Sequence, residues 1–295
     1  MDTMTGPGLA TRPGRHDVPP GGRPAARSRL RKPFAVVAAV AAAIAGTVAA
    51  LTVGHSKAAS APACTVGSSA GPTYTLTSEQ AQNAAIIAAV AFKEGLPDHA
   101  VTVALATSLQ ESELRNLPYG DRDSVGLFQQ RPSQGWGTRA QLLDPVYSTS
   151  AFYRGLTQVP GWQTMPVTDA AQAVQRSADA GAYAAWEDEA RAVAVALTGE
   201  VPAGLACRLA GFGGAAPAPT ALGQALSTEM GSDLLGIPVG TKTGWQVAAW
   251  VVAHAYNYHV RGVAFAGMIW QPGSGGWKED RHQPVPQSVT VQSGA

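Results

Sequence analysis

Residues 98–118 read DHAVTVALATSLQESELRNLP, and the spacing inside this stretch decides the class of fold. Val101, Leu105 and Leu109 recur at the four-residue interval that stacks side chains on one helical face. Asp98 stands where a helix cap belongs, and the pattern is lost by Asn116-Leu117-Pro118. Upstream, Thr77 and Gln80 form a capping-box pair ahead of Ala84, Ile87, Ala88, Ala91 and Phe92, a first helix that Gly95-Leu96-Pro97 stops. Downstream, Asp144-Pro145 opens a third helix with cap and N1 proline, Thr168 or Asp169 a fourth, and Gly181 to Leu197 is a fifth that ends at Gly199. No segment between 76 and 200 alternates as a strand would. The expectation is a mainly α chain with a small helical domain over 76–207.

The segments on either side differ in kind. Residues 1–33 carry seven Arg or Lys (Arg12, Arg15, Arg23, Arg27, Arg29, Arg31, Lys32) among prolines and glycines, and read as a disordered basic tail. Residues 34–53 are 20 uncharged, Ala- and Val-rich positions, long enough as a helix to cross a bilayer. With every flanking arginine on the N-terminal side, the tail is expected in the cytoplasm and everything after Gly54 outside, as a single-pass membrane protein. Secretion after cleavage near Ala59-Ser60-Ala61 is the competing reading. Residues 54–75 read as a stalk. Cys64 and Cys207 are the 2 cysteines of the chain, and outside the cytoplasm an even pair is expected as a disulfide, two buried thiols being the alternative.

The Gly/Ala/Pro-rich segment 208–222 reads as a linker to a small α/β module over 223–295. Within that module Thr243 to His259 is expected as a helix, with Gly262 to Phe265, Gly267 to Trp270 and Ser288 to Val291 as short strands. His254 and His259 are five apart and do not share a helical face, so no metal site is expected.

The net charge of +1 hides an asymmetry, because residues 74–207 hold eight basic and fourteen acidic side chains. That acidic balance argues against nucleic acid as a partner. A membrane transporter is excluded on similar grounds, since one apolar segment without an internal charge provides no pathway.

The chemistry concentrates at Gln110-Glu111-Ser112 and, fifteen residues after the glutamate, Gly126-Leu127-Phe128-Gln129. A carboxylate near a helix C-terminus feels the negative end of the helix dipole, and apolar walls add desolvation, so Glu111 is a candidate general acid. It shares a helical face with Ala104, Thr107 and Ser108, small residues expected to leave room for a cleft. Residues 120–132 are dense in turn formers and polar groups around a short apolar core anchor at Leu127 and Phe128; Gly126 is expected to let a backbone and a sugar approach, and the Gln129 amide to bond hydroxyls or an N-acetyl group. Asp121 and Asp123 read as turn residues, although both, like Glu113, are candidate partner carboxylates. Tyr119, Trp136 and Tyr183 are candidate sugar-stacking rings. Arg131 could reach a carboxylate of the substrate or pair with Asp121 or Asp123.

Gln-Glu-Ser, a loop of this length and then Gly-Leu-Phe-Gln resemble the soluble lytic transglycosylase and lysozyme-like superfamily, whose matching motifs are Glu-Ser and Gly-Leu-Met-Gln. Ala182-Tyr183 matches a third motif in part, with Ala184 where the family has Asn. Trp136-Gly137-Thr138 and Asp144-Pro145 resemble its membrane-tethered or secreted bacterial members, and the likeness spans about residues 76 to 200. The resemblance implies a lysozyme-like helical domain in which Glu111 is acid and base, Ser112 orients it, and Gly126, Leu127, Phe128, Gln129 and Tyr183 line the substrate cleft. The implied substrate is the glycan strand of peptidoglycan, cut between N-acetylmuramic acid and N-acetylglucosamine to a 1,6-anhydro product by one carboxyl, without a cofactor. A lysozyme-type hydrolase and a non-catalytic peptidoglycan-binding or scaffold protein are the alternatives. Residues 223–295 faintly resemble D-Ala-D-Ala carboxypeptidase-like modules through Gly244-Trp245, Ala253-His254-Ala255, Met268-Ile269-Trp270 and Gly276-Trp277, without that family's metal ligands.

Overall fold

Thr77 and Gln80 close a capping box, Thr77 Oγ1 accepting from the Gln80 backbone N–H at 3.2 Å and Gln80 Oε1 from the Thr77 N–H at 2.8 Å. The helix they start, α1 (Ser78–Lys93), buries ten residues, six of them alanines. Small side chains around most of the helix let neighbours close on it from several sides, which makes α1 a central helix and not an amphipathic surface one. The second helix, α2 (Asp98–Ser112), buries eleven of its residues. The short α3 (Arg139–Leu142) packs on α4 (Pro145–Thr157), and α4, α5 (Val167–Gln175) and α6 (Glu187–Leu197) pack on the two central helices, with 3₁₀ turns at Pro132–Gln134, Trp162–Thr164 and Ala182–Trp186. Asp144 caps α4 by accepting from the Val146 N–H at 2.9 Å, as the Asp-Pro pair predicts.

The computed structural model describes residues 61–67, 72–177, 179, 181–280 and 287–293. The expected basic tail and the membrane segment 34–53 lie outside them. Among the described residues no helix is long and apolar enough to cross a membrane.

Part of the expected stalk belongs to a sheet. Strands β1 (Ala63–Val66), β2 (Tyr74–Thr77) and β3 (Leu205–Arg208) form an antiparallel sheet in the order β2-β1-β3. Cys64 lies directly opposite Cys207 in the β1–β3 register, and the two form a disulfide across 143 residues. The four-residue strands are too short for alternation to stand out, which is why the sequence pattern missed them.

Beyond β3 come α7 (Ala221–Met230), α8 (Thr241–His254) and strands β4 (Val260–Phe265), β5 (Met268–Trp270), β6 (Trp277–Glu279) and β7 (Thr290–Ser293), paired in the antiparallel order β6-β5-β4-β7. The chain is thus mainly helical with a small sheet module, and its hydrophobic core is continuous across the expected linker 208–222. Trp270 Nε1 donates to the Cys207 carbonyl at 3.1 Å and Trp277 Nε1 to the Leu205 carbonyl at 2.9 Å, fastening β5 and β6 to β3. The residues behind the carboxypeptidase-like likeness have packing roles: Trp245 meets Phe265 and Trp277 edge-on, and the fully buried His254 ring stacks on Trp250 with Nε2 3.4 Å from Glu229 Oε2.

Because the disulfide links the first described strand to the last strand of the helical part, it restricts the unfolded chain over most of that part. Replacing Cys64 and Cys207 by alanine is expected to lower unfolding stability by roughly 2–5 kcal/mol, read from urea denaturation midpoints with the m-value held in view.

Candidate active site

The end of α2 is built to hold a carboxylate in one place. Glu113 and Leu114 both adopt left-handed backbone, at φ 53° and 57°, a conformation that costs about 1 kcal/mol or more for each non-glycine residue. Two side chains of α1 offset that cost, Gln80 Nε2 donating to the Glu113 carbonyl at 2.9 Å and Asn83 Nδ2 to the Leu114 carbonyl at 2.8 Å. The helix therefore stops abruptly, and the chain turns into the loop that faces its own last turn.

That loop meets the helix through hydroxyl groups. Ser112 Oγ donates to the Leu127 carbonyl at 2.7 Å and Ser108 Oγ to the same oxygen at 3.2 Å. Ala104, Thr107 and Ser108, expected to leave space for a cleft, are instead covered, all at 0% exposure. Small residues there let the loop backbone sit against the helix. Leu127 and Phe128 are likewise fully buried, with Phe128 stacked on Phe152 at 4.7 Å, so their side chains anchor the loop and only their carbonyls face the polar groups.

Gly126 is a backbone requirement of this loop. Its φ is +80°, its N–H donates to the Leu117 carbonyl at 2.7 Å, and a Cβ there would lie 2.3 Å from the Leu142 carbonyl oxygen. The close backbone approach that this glycine permits is to the last residue of α3. Gln129, at φ 46°, spends its amide inside the loop, Nε2 donating to the Tyr119 and Gly126 carbonyls at 3.3 and 3.2 Å while Oε1 accepts from Ser124 Oγ at 3.1 Å. Of the residues that the motifs pick out, the structure brings Glu111, Ser112 and the carbonyls of Leu127 and Phe128 together.

Two further side chains complete the cluster. Tyr183 Oη donates to Glu111 Oε1 at 2.9 Å and Gln175 Nε2 to the same oxygen at 3.3 Å, while Gln175 Nε2 also donates to the Phe128 carbonyl at 2.8 Å. Both donors end on Oε1, and Oε2 accepts no hydrogen bond from a described residue. The Tyr183 ring is fully buried, which removes it from sugar stacking and makes it a positioning residue. Burial, the neighbouring Glu111 charge and the hydrogen bond to Glu111 all push the Tyr183 phenol well above its ordinary range, so it is a neutral donor at any physiological pH. The expected helix at 181–197 begins as the 3₁₀ turn Ala182–Trp186, and its three-residue repeat puts Tyr183 and Trp186 on one side, toward α2. Trp186 Nε1 accordingly donates to Gln110 Oε1 at 2.7 Å.

The motifs do not point to Gln175. It continues the Val167, Ala171, Val174 side of α5 at its last position, and a polar residue ending an otherwise buried stripe is the available signal.

The candidate partner carboxylates are engaged locally. Glu113 lies 3.4 Å from Arg115, Asp121 3.8 Å from Arg122, and Asp123 Oδ1 2.8 Å from Arg131 Nε. Asp123 Oδ2 also accepts from the Ser133 N–H at 2.8 Å. The Arg131 guanidinium first, and that N–H second, hold the Asp123 carboxyl well below the usual carboxylate range. Arg131 is therefore the loop's own counter-ion.

Beside this cluster runs an open cleft of about 610 Å³, lined among others by Gln134, Trp136, Gln158, Val174 and Gln175. Gln175 belongs to both cleft and cluster. Gly155 forms part of the wall, where a Cβ would meet the Trp136 ring and Val174 at 3.2 Å each. A hollow of about 690 Å³ between residues 216–228 and Tyr258 shares no residue with the Glu111 cluster. Tyr119 is 66% exposed and outside the lining of the cleft.

No protein-family model matches the chain. A comparison with curated proteins finds no match either. The function therefore rests on the residues of this site.

Two outcomes follow from the loop's construction. Gly126→Ala is expected to lose roughly 2–4 kcal/mol of stability, because the new Cβ enters the Leu142 carbonyl and the backbone is left-handed there; thermal unfolding monitored by circular dichroism reads it. For Asp123 the folded carboxyl titrates below the unfolded one, so its contribution is fully present above the ordinary carboxylate range near pH 4 and is lost as pH falls through the depressed folded value. The difference in melting temperature between the parent and Asp123→Asn is expected to stay constant from pH 7 to about 5 and to shrink toward pH 2.

Proposed function

We propose that this chain is a peptidoglycan-cleaving glycosidase of lysozyme-like fold, a lytic transglycosylase in which Glu111 is the acid and base. The observation that carries the reading is Glu111 itself: one carboxylate, held by Tyr183 and Gln175 on a single oxygen, beside a cleft whose wall includes the same Gln175. A cleft lined by an indole and several carboxamides suits sugars, which offer apolar ring faces and many hydroxyls and amides.

In the first step Glu111 gives a proton to the oxygen between N-acetylmuramic acid and N-acetylglucosamine, and the bond from the muramoyl C1 to that oxygen breaks with the electron pair leaving on oxygen. In the second, the Glu111 carboxylate takes the proton of the muramoyl 6-hydroxyl as its oxygen bonds to C1. The ring closes to the 1,6-anhydro sugar without consuming water. Tyr183 and Gln175 keep Oε1 in place through both steps, and Oε2 is the oxygen available to carry the proton. Pairing of Glu113, Asp121 and Asp123 to arginines of their own segments favours this route over a two-carboxylate hydrolysis.

The site of action is outside the cytoplasm, reached by one membrane crossing at 34–53 or by cleavage after it. The Cys64–Cys207 disulfide fits an oxidising compartment.

Incubating the full chain with purified peptidoglycan and analysing soluble products by mass spectrometry tests the proposal. Anhydromuropeptides are expected from the parent, with Glu111→Gln slower by roughly 10²–10⁴-fold while still sedimenting with the wall. Products heavier by one water identify a hydrolase, and turnover that survives Glu111→Gln removes Glu111 from the chemistry.

A further inference from the structure

The cleft beside Glu111 carries one charged side chain among its lining residues. Arg176 sits at its edge, next in sequence to Gln175, while the rest of the lining is uncharged: indole, carboxamides, small residues and valines. Three observations single it out. It is exposed, and of the described arginines without an ion pair to a described residue, Arg139, Arg154, Arg176, Arg208 and Arg261, it is the one that lines this cleft. Its backbone is left-handed at φ 54°, at the C-cap of α5, where its N–H donates to the Gln172 carbonyl at 2.8 Å. Glycine or asparagine takes that conformation with less strain, so an arginine there is not explained by the way the helix ends. Finally, it adjoins Gln175, which bonds Glu111, and the two line the same cleft.

We infer that Arg176 is a specificity-determining residue, and that the cleft takes a glycan bearing a carboxylate in preference to a neutral one. This inference rests on the glycosidase reading above and deepens it. Arg115, Arg122 and Arg131, the cations nearer the motifs, are each engaged by a carboxylate of their own segment, Arg131 by Asp123 at 2.8 Å. A guanidinium presents a planar fork that fits both oxygens of a carboxylate, and the uncharged walls leave that attraction uncontested within the cleft. On peptidoglycan the carboxylate has two sources: the lactyl group of a muramoyl residue without its peptide, and the side chain or terminus of a stem peptide.

The test compares the full parent chain with Arg176→Gln and Arg176→Lys on three substrates: N-acetylglucosamine oligomers, which are neutral, peptide-free glycan strands, which carry lactyl carboxylates, and intact peptidoglycan. Both kcat/KM and binding by cosedimentation or calorimetry are measured, with circular dichroism melting as the control that the exposed change leaves the fold intact. Arg176→Gln is expected to lose about 10-fold in kcat/KM and affinity on carboxylate-bearing glycan and nothing on the neutral oligomer, with Arg176→Lys recovering part of the loss. A loss on peptide-free strands assigns the lactyl carboxylate, and a loss on intact wall alone assigns the stem peptide. Equal effects on neutral and anionic substrates, no effect on either, or no binding of any of the three overturns the inference. If the parent binds and discriminates but does not turn over, the glycosidase reading fails while the carboxylate recognition stands; turnover without charge discrimination gives the reverse.

Discussion

The Leu127 carbonyl is an acceptor enclosed by the end of α2, and the hydroxyls of Ser112 and Ser108 are what satisfy it, at 2.7 and 3.2 Å. An acceptor left without a partner in such a place costs about 1–3 kcal/mol. Satisfying it sets the height at which residues 124–130 lie against the helix, and other positions in the cluster depend on that height. The Phe128 carbonyl, one residue on, is thereby presented to Gln175, and Gln175 bound to it at 2.8 Å is held close enough to reach Glu111. Serine next to the glutamate thus acts on the carboxylate indirectly, through a loop carbonyl and a carboxamide, and makes no bond to the carboxylate itself.

The same joint explains why the strained residues lie where they do. Glu113 and Leu114 turn the chain out of α2 within two left-handed residues, and Gly126 and Gln129 turn it back. Each of these departures is held by a bond to a neighbour that is itself anchored: Asn83 and Gln80 on α1, the Leu117 carbonyl, the Ser124 hydroxyl. Strain maintained by several independent contacts gives a rigid loop, and rigidity is what a carboxylate needs if its two oxygens are to keep different roles.

How much of this was legible in the sequence follows from the range of each interaction. Helices announced themselves because their caps and apolar spacing are local; the capping box at Thr77 and the Asp144-Pro145 start hold to the residue. Strands β1, β2 and β3 did not, since four residues show no convincing alternation and the β1–β3 pairing joins Cys64 to Cys207, 143 positions on. At the site, Glu111 and Ser112 stood out by motif, and Leu127 and Phe128 as an apolar anchor among turn formers, which their full burial bears out. What no local pattern contains is the partner each residue meets: Phe152 for the Phe128 ring, the Leu142 carbonyl beside Gly126, and the Tyr119 and Gly126 carbonyls for the Gln129 amide. Gln175 and Tyr183 reach Glu111 from 64 and 72 residues away, and only packing of α5 and the 3₁₀ turn against α2 brings them there.

The C-terminal segment bears on the site through the core that it completes. Lys242 at the start of α8 reaches Asp98 at the start of α2 at 2.5 Å, next to the Arg191–Glu200 pair at 2.9 Å that ends α6. Burial, and then a hydrogen bond with Asp98, raise the Glu200 carboxyl above its ordinary range, and the two ion pairs join α2, α6 and α8. Trp250 on α8 donates to Glu229 on α7 at 2.6 Å, and Lys93 at the end of α1 to the Thr228 carbonyl at 2.9 Å. Helix α2 is therefore gripped at both ends, by α8 at its first residue and by α1 and the loop at its last. A segment joined by an apparent linker is in this chain part of the frame that keeps Glu111 in place, and composition alone could not distinguish the two because glycine and alanine serve a surface crossing as well as a domain boundary.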